Sequence, residues 1–280
     1  MKRTKFNNKR REIPKGAIYE NAKRRIKQRR GSDEWLQKAT PFKQGLSMSD
    51  EKLNEIMTLL DITVSGYKKE QKLLDLNILL SNLLSQESKP IIISKNGKDW
   101  KNTKYNRASY YTLQLIEDLK SKEMIEIKNG YYTENDSRKT RIWATEKLLE
   151  YCPPCHSMIT YKPVEVVELR TWTGKLKEYK DTAKTYKIRD ILERVNKVNN
   201  QATIECENHR LSVFVVAIFK EKFTLYGRIH SKGVRHFQGY EGDERERFTI
   251  NGNNVVELDF SSLHPYLLYA EKGIQYRGDP

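Results

Sequence analysis

Cysteine is scarce in this 280-residue chain, and long apolar runs are missing altogether. The three cysteines, Cys152, Cys155 and Cys206, exclude a framework of several disulfides and favour a reducing compartment. No apolar segment is long enough to span a membrane, and the basic N-terminus lacks the apolar core of a secretory signal. We therefore expect a cytoplasmic protein without a membrane partner.

Acidic residues are also under-represented, since 37 Asp and Glu face 52 Lys and Arg and leave a formal net charge of +15. Charge that served solubility alone would be spread evenly. Here the first thirty residues hold thirteen Lys or Arg against only Glu12 and Glu20. This distribution favours a polyanionic partner, most simply nucleic acid, because basic side chains that neutralise phosphates release counterions.

Changes in composition predict three segments in an α+β protein. Residues 1–47 form a basic arm, which is expected to be disordered or helical only on a phosphate surface. Residues 48–152 alternate helical and strand patterns. Residues 153–280 begin at a pair of prolines and contain further strands and helices.

The middle segment has a recognisable order of elements. The patterns predict a helix capped by Ser49, a helix over 68–86, a strand over 89–93, a helix over 109–122, and strands over 124–128 and 140–144. This order resembles a winged-helix domain, in which the helix before the ribbon enters the major groove and the ribbon follows the backbone. The resemblance implies a set of DNA-facing residues: Lys104, Arg107, Tyr110, Gln114, Arg138, Lys139 and Arg141. Some winged helices only pack against proteins, but the charge favours DNA.

The segment from Cys152 to His156 formally matches a c-type haem attachment pattern. We expect no haem, because neither export nor an axial ligand is indicated. A zinc site would need a fourth ligand, for which Cys206 and His209 are the candidates. Ordinary linker cysteines remain the favoured interpretation.

The C-terminal region contains a carboxylate at a predicted strand end. Residues 255–260 read as a strand after an Asn251-Gly252 turn, and residues 261–270 read as a helix. Asp259 could therefore bind a metal ion through its side chain and the next carbonyl. Two magnesium ions held in this way stabilise the attacking and leaving oxygens of a phosphoryl transfer.

The residues from Asp259 to Leu268 resemble the first palm motif of family B DNA polymerases. The order of Gly227-Arg228, Gln238 and Arg245-Glu-Arg-Phe248 ahead of it is similar to family A polymerases. The combination also resembles polymerase-like proteins of phages and mobile elements. The resemblance covers roughly the last sixty residues.

The resemblance implies roles at single positions. Asp259 and the Phe260 carbonyl would bind Mg²⁺, Arg228 and Arg245 would contact the primer–template, and three residues would face the nucleotide and its sugar: Ser262, Leu263 and His264. His264 stands where the family B motif has a tyrosine, so the choice between dNTP and NTP substrates stays open. The choice between a DNA and an RNA template also stays open.

Such polymerases carry a second aspartate and a fingers lysine after the first motif. Only fifteen residues follow Pro265, so we expect the front part of a longer protein, inactive alone, with the missing C-terminal part as a partner. The main prediction is thus a DNA-binding, polymerase-like nucleotidyltransferase fragment. The alternative is a non-catalytic winged-helix replication-initiation or regulatory protein. A nuclease using Asp259 with Glu257 or Asp243 has less support, because no further acidic cluster accompanies them.

Overall fold

The computed structural model describes residues 30–85, 89–101, 103–134, 136–153, 159–207, 209–233, 235–256 and 263–275. These residues form an α+β protein, as predicted. The chain divides into two compact units, unit 1 (residues 1–164) and unit 2 (residues 165–280). The division differs from the predicted boundaries at 47/48 and 152/153. Leu46 and Ser47 pair with Tyr161 and Thr160, so residues from all three predicted segments belong to unit 1.

Unit 1 contains five helices and eight strands among the described residues. The helices are α1 (Asp33–Gln37), α2 (Asp50–Leu59), α3 (Lys69–Ser85), α4 (Tyr111–Ser121) and α5 (Glu146–Tyr151). The strands are β1 (Thr40–Pro41), β2 (Leu46–Ser47), β3 (Ile91–Ile93), β4 (Ile125–Lys128), β5 (Tyr131–Tyr132), β6 (Ser137–Arg138), β7 (Thr140–Ala144) and β8 (Thr160–Tyr161). The predicted cap is confirmed, since Ser49 Oγ accepts a hydrogen bond from the Lys52 N–H at 3.3 Å.

Helix α3 is the centre of unit 1. Its second half, residues 75–85, is buried on every side, although its leucines alone predict a one-sided apolar stripe. The polar side is buried because its asparagines bind backbone. Asn77 exchanges two hydrogen bonds of 2.9 Å with the N–H and C=O of Met48, and Asn82 does the same with Lys43 at 2.8 and 2.9 Å. Segment 43–48 thereby gains the partners that a free strand edge lacks.

The predicted basic arm is corrected by this arrangement. Residues 33–47 are ordered parts of unit 1, and Trp35, Leu36 and Leu46 are buried there. The ring of Trp35 packs edge-on against Trp143 of β7, with ring centroids 5.3 Å apart. The arm prediction is wrong for residues 33–47, because it rested on the high density of charge in the preceding residues and gave no weight to the few strongly apolar side chains that are buried here. Residues 1–29 lie outside the described residues.

The main sheet of unit 1 has the strand order β1–β3–β7–β4. Strands β3, β7 and β4 are antiparallel neighbours, with Ile142 of β7 opposite both Ile91 and Ile127. Strand β1 pairs parallel to β3, and β5 and β6 form a separate two-stranded ladder between β4 and β7 in the chain. Helix α4 precedes β4 directly, so helix, strand, helix and ribbon follow one another as predicted.

Unit 2 contains three described helices and seven described strands. They are β9 (Val167–Arg170), α6 (Ala183–Asn199), β10 (Ile204–Cys206), β11 (His209–Leu211), β12 (Val215–Lys220), β13 (Gly227–Ser231), α7 (Gly242–Arg245), β14 (Phe248–Ile250), β15 (Asn253–Asn254) and α8 (Leu263–Glu271). One sheet has the order β13–β12–β9, with β9 parallel to β12 and β13 antiparallel to it. The other has the order β11–β10–β14–β15.

Helix α6 packs on the β9–β12 side of the first sheet, with Leu192 buried against it. Asn196 repeats the device of α3, because its amide exchanges hydrogen bonds of 2.8 and 2.9 Å with the N–H and C=O of Val215. The apolar run over 211–219 is divided between the end of β11 and most of β12. The Ser212 N–H donates to the Arg235 carbonyl at 2.7 Å, and the chain changes sheets at this point.

The hairpin before the C-terminal motif follows its turn prediction. Asn251 and Gly252 have positive φ angles of 52° and 78° and join β14 to β15. The predicted strand over 255–260 is not found at its first two residues, Val255 and Val256. Its remaining residues, 257–260, lie outside the described part. Helix α8 agrees with the predicted helix over 261–270.

Candidate nucleic-acid interface

Three side chains hold the turn that leads into α4. Gln44 Oε1 accepts hydrogen bonds from the N–H groups of Arg107 and Ala108, at 3.1 and 2.8 Å. Gln71 Nε2 donates to the Arg107 carbonyl at 3.0 Å. The completely buried carboxylate of Asp75 accepts from the Ser109 N–H at 3.0 Å and from the Ser109 hydroxyl at 2.6 Å. The start of α4 is therefore fixed before any ligand arrives.

The fixed start of α4 carries a cluster of tyrosines and lysines. The rings of Tyr110 and Tyr111 lie 4.3 Å apart, and the Lys72 ammonium lies 5.3 Å from the Tyr111 ring centre. The Lys68 ammonium lies at the same distance from the ring of Tyr67, which is 78% exposed. A hydrogen bond with the Tyr110 hydroxyl, more than burial, raises the pKa of Tyr111 to about 12. The cluster offers aromatic faces and cations to solvent, a combination suited to nucleic acid.

The structure brings some of the predicted α4-side residues together. Tyr110 and Gln114 are exposed and one helical turn apart, so they share a face. Arg107 belongs to the clamped turn, and Lys104 lies in the tight turn just before it, between the bridged residues Thr103 and Asn106. Sequence reasoning missed Lys72 and Tyr67, because α3 reads as a core helix and its exposed first turn carries no motif.

The remaining predicted basic residues lie on the β5–β6 hairpin and at the start of β7. The Arg138 guanidinium lies 5.9 Å from the Tyr131 ring centre and 3.5 Å from an Asp136 carboxylate oxygen. Lys139 is exposed, whereas Arg141 is half-buried on β7 and donates to the Lys139 carbonyl at 3.0 Å. Tyr132 is 86% exposed beside them, another residue that the sequence did not single out.

A groove separates this hairpin from the end of β3. It is lined by Ile93, Ser94, Lys95, Asn129, Gly130, Tyr131, Tyr132, Arg138, Lys139 and Thr140. Lys95 also forms an ion pair of 3.6 Å with Glu117 of α4, so the groove borders that helix. The chain passes very close to itself at Gly130, where a Cβ would lie 2.2 Å from the Arg138 carbonyl oxygen and 2.7 Å from the Thr140 nitrogen, so a larger residue would not fit without a shift. The groove has an aromatic and basic rim.

A second charged surface lies in unit 2, on the β13–β12–β9 sheet. The buried carboxylate of Glu168 accepts from Arg170 Nε at 2.9 Å and contacts Lys232 Nζ at 3.0 Å. Burial, together with the positive charges of Arg170, Arg228 and Lys232, lowers the pKa of His230 from its ordinary value. Of these residues the sequence singled out only Arg228, because Glu168 and Arg170 lie in a short strand without a motif.

The two arginines predicted to contact the primer–template lie on different elements. Arg228 is exposed on β13, with its guanidinium 5.5 Å from the Tyr226 ring centre. Arg245 is half-buried at the end of α7, ahead of β14. Gln238, between them in the chain, accepts a hydrogen bond from the Ser231 N–H at 2.8 Å. Gln238 therefore binds the backbone of the last residue of β13.

The predicted metal site lies largely outside the described residues. Asp259, Phe260 and Ser262 are among the residues not described, while Leu263 and His264 are exposed in the first turn of α8. No group of three or more metal-ligating side chains occurs within the described ranges. Cys152 and Cys206 are both buried free thiols, and burial raises the pKa of each.

No protein family, curated protein or solved structure matched the chain in the comparisons. None of the helices in the described ranges is long and apolar enough to cross a membrane.

Proposed function

We propose that unit 1 is a winged-helix-like DNA-binding domain in a polymerase-like replication protein of a phage or mobile element. The observation that carries the proposal is the clamped start of α4, which presents Tyr110 and Tyr111 beside Lys72. A binding surface that is rigid before contact loses less conformational entropy when its ligand arrives.

The strand order of unit 1 supports the winged-helix part of the proposal. In that fold the strand that precedes the groove-binding helix lies beside the last strand of the ribbon. Here β3, which precedes α4, lies beside β7. Helix α4 would enter the major groove with Tyr110 and Gln114, and the β5–β6 hairpin would follow the backbone with Arg138 and Lys139. The parallel strand β1 is an addition to this arrangement.

The polymerase-like part of the proposal rests on the motif at Asp259 and on the segments before it. Asp259 and the Phe260 carbonyl would hold Mg²⁺, which supplies charge stabilisation for nucleotidyl transfer when the site is complete. Leu263 and His264 are exposed on α8, which is compatible with a role toward the nucleotide. Arg228 and Arg245 would contact the primer–template.

Duplex binding by the full chain tests the DNA-binding role. We expect fluorescence anisotropy to show affinity that falls steeply with salt. Replacing Arg138 and Lys139 by Gln should lower the slope of log K against log salt by about 2, because each phosphate contact contributes roughly 0.9. The matched control replaces Lys38 and Lys147, two exposed cations elsewhere in unit 1, by Gln. Equal slopes in the two double variants would refute the assigned surface.

Primer extension separates the two candidate functions. We expect no nucleotide incorporation by these residues alone with Mg²⁺, because a two-metal site needs more than one carboxylate and no group of three or more metal-ligating side chains occurs in the described ranges. Incorporation that Asp259→Ala abolishes would show that no further carboxylate is needed. If the chain binds DNA in a salt-dependent way and no added partner restores nucleotide incorporation, a replication-initiation or regulatory protein is favoured.

A further inference from the structure

One face of the β13–β12–β9 sheet carries a set of charges of which the proposed function uses only Arg228, as a primer–template contact. In the ladder Ile218 of β12 lies between Glu168 of β9 and Arg228 of β13. Strand alternation puts Arg170 and His230 on the same face as these residues. The opposite face packs on α6. The charged side chains therefore surround Ile218, a residue of the unit 2 core, on the face away from α6.

Glu168 organises this face. Its carboxylate holds Arg170 through Nε and Nη2 and holds Lys232 through Nζ, and its side chain is only 9% exposed. Arg170 and Lys232 are about three-quarters buried, with side-chain exposures of 25% and 27%. Long basic side chains ordinarily lose rotamer entropy on binding a ligand. Here the carboxylate has already ordered two of them.

The charges on this face do not balance. Arg170, Lys220, Arg228 and Lys232 are four cations against the single carboxylate of Glu168, so the formal sum is +3. Arg228 stacks on Tyr226 and forms no ion pair with the described residues. His230 lies near these cations, and burial together with the positive charges of Arg170, Arg228 and Lys232 lowers its pKa, so it is disfavoured from taking up a further positive charge. An anion bound here would relieve this repulsion.

We propose that this face of unit 2 binds a phosphate group of a nucleotide or of a nucleic-acid strand. Arg228 and Lys232 would donate to the phosphate oxygens, because an ammonium that contacts one carboxylate oxygen keeps further N–H donors. Arg170 already donates from Nε and Nη2 to Glu168, so it would attract the phosphate through its positive charge. The site does not depend on DNA binding by unit 1 or on Asp259, so either can fail without it.

The test measures binding of inorganic tripolyphosphate, dATP and a short thymidine oligonucleotide to the full chain by calorimetry. The background variant Arg138→Gln/Lys139→Gln removes the hairpin cations of unit 1 from the comparison. On it, Arg228→Gln/Lys232→Gln should weaken binding about tenfold or more, since charge-assisted hydrogen bonds are lost. The control is Lys187→Gln/Lys197→Gln, which removes two exposed cations of α6 on the other side of the sheet.

The arms of the experiment distinguish the sources of the phosphate. Loss of dATP and tripolyphosphate binding assigns a nucleotide polyphosphate, and loss confined to the oligonucleotide assigns a strand backbone. Because Lys232 also pairs with Glu168, Arg228→Gln alone serves as a variant that leaves this pair intact. If Arg228→Gln and the double variant bind all three probes as the α6 control does, the proposal is wrong.

Discussion

The buried carboxylate of Asp75 should be energetically coupled to Ser109. It accepts two hydrogen bonds from Ser109 and one of 2.6 Å from Gln71 Nε2, and no part of Asp75 is exposed. A hydrogen bond to a charged group contributes about 1.5–3 kcal/mol. Ser109→Ala removes one such bond and should cost about 2 kcal/mol. Asp75→Ala removes all three and leaves donors unsatisfied, which should cost about 3–5 kcal/mol.

A double-mutant cycle measures this coupling directly. Denaturant unfolding can be followed by tryptophan fluorescence, because Trp35, Trp100 and Trp143 are buried in unit 1 while Trp172 of unit 2 is 64% exposed. In the Asp75→Ala background, Ser109→Ala should cost far less than in the parent, with a coupling of about 2 kcal/mol. A coupling below about 0.5 kcal/mol would refute the clamp. Asp75→Asn should also weaken DNA binding while the chain stays folded.

Three further outcomes follow from individual contacts. Asn77→Ala should lower unit 1 stability by about 2–3 kcal/mol in the same unfolding assay, since two buried backbone groups lose their partner. Tyr110→Phe should bring the pKa of Tyr111 from about 12 back toward 10.0 in an NMR titration. In the parent, the stability from that raised pKa is present below pH 10 and is lost as pH rises through 12. The pKa of His230 is lowered in the folded protein. The stability that it contributes is therefore present above its unfolded pKa near 6.5 and is lost as pH falls toward the folded pKa. Arg228→Gln removes one of the nearby positive charges and should raise the folded pKa of His230 in a histidine NMR titration.

The sequence predicts the helices and strands of unit 1 well because each has a local signal. The spacing of leucines in α3 and the Ser49 cap depend only on neighbours in the chain. What the sequence does not reveal is where polar side chains go. Residue type alone assigns Asn77 and Asn196 to solvent, yet each is buried and binds the backbone of a distant residue.

The candidate sites divide along the same line. Arg138 and Tyr110 could be predicted because a turn or helix start marks their position. Lys232 and Glu168 could not, because their significance arises only when β9 and β13 flank β12. Pairing across a parallel strand leaves no local pattern in the sequence, so a carboxylate that orders two cations looks like any charged strand residue.

The asparagine pairs of α3 set an order for the acquisition of structure. Segment 43–48 has its backbone partners 29 to 39 residues further along the chain, in Asn77 and Asn82. In a growing polypeptide this segment therefore emerges before Asn77 and Asn82 do. Substitutions at Asn77 or Asn82 should speed unfolding more than they slow folding, because the helix must form first and the segment docks last.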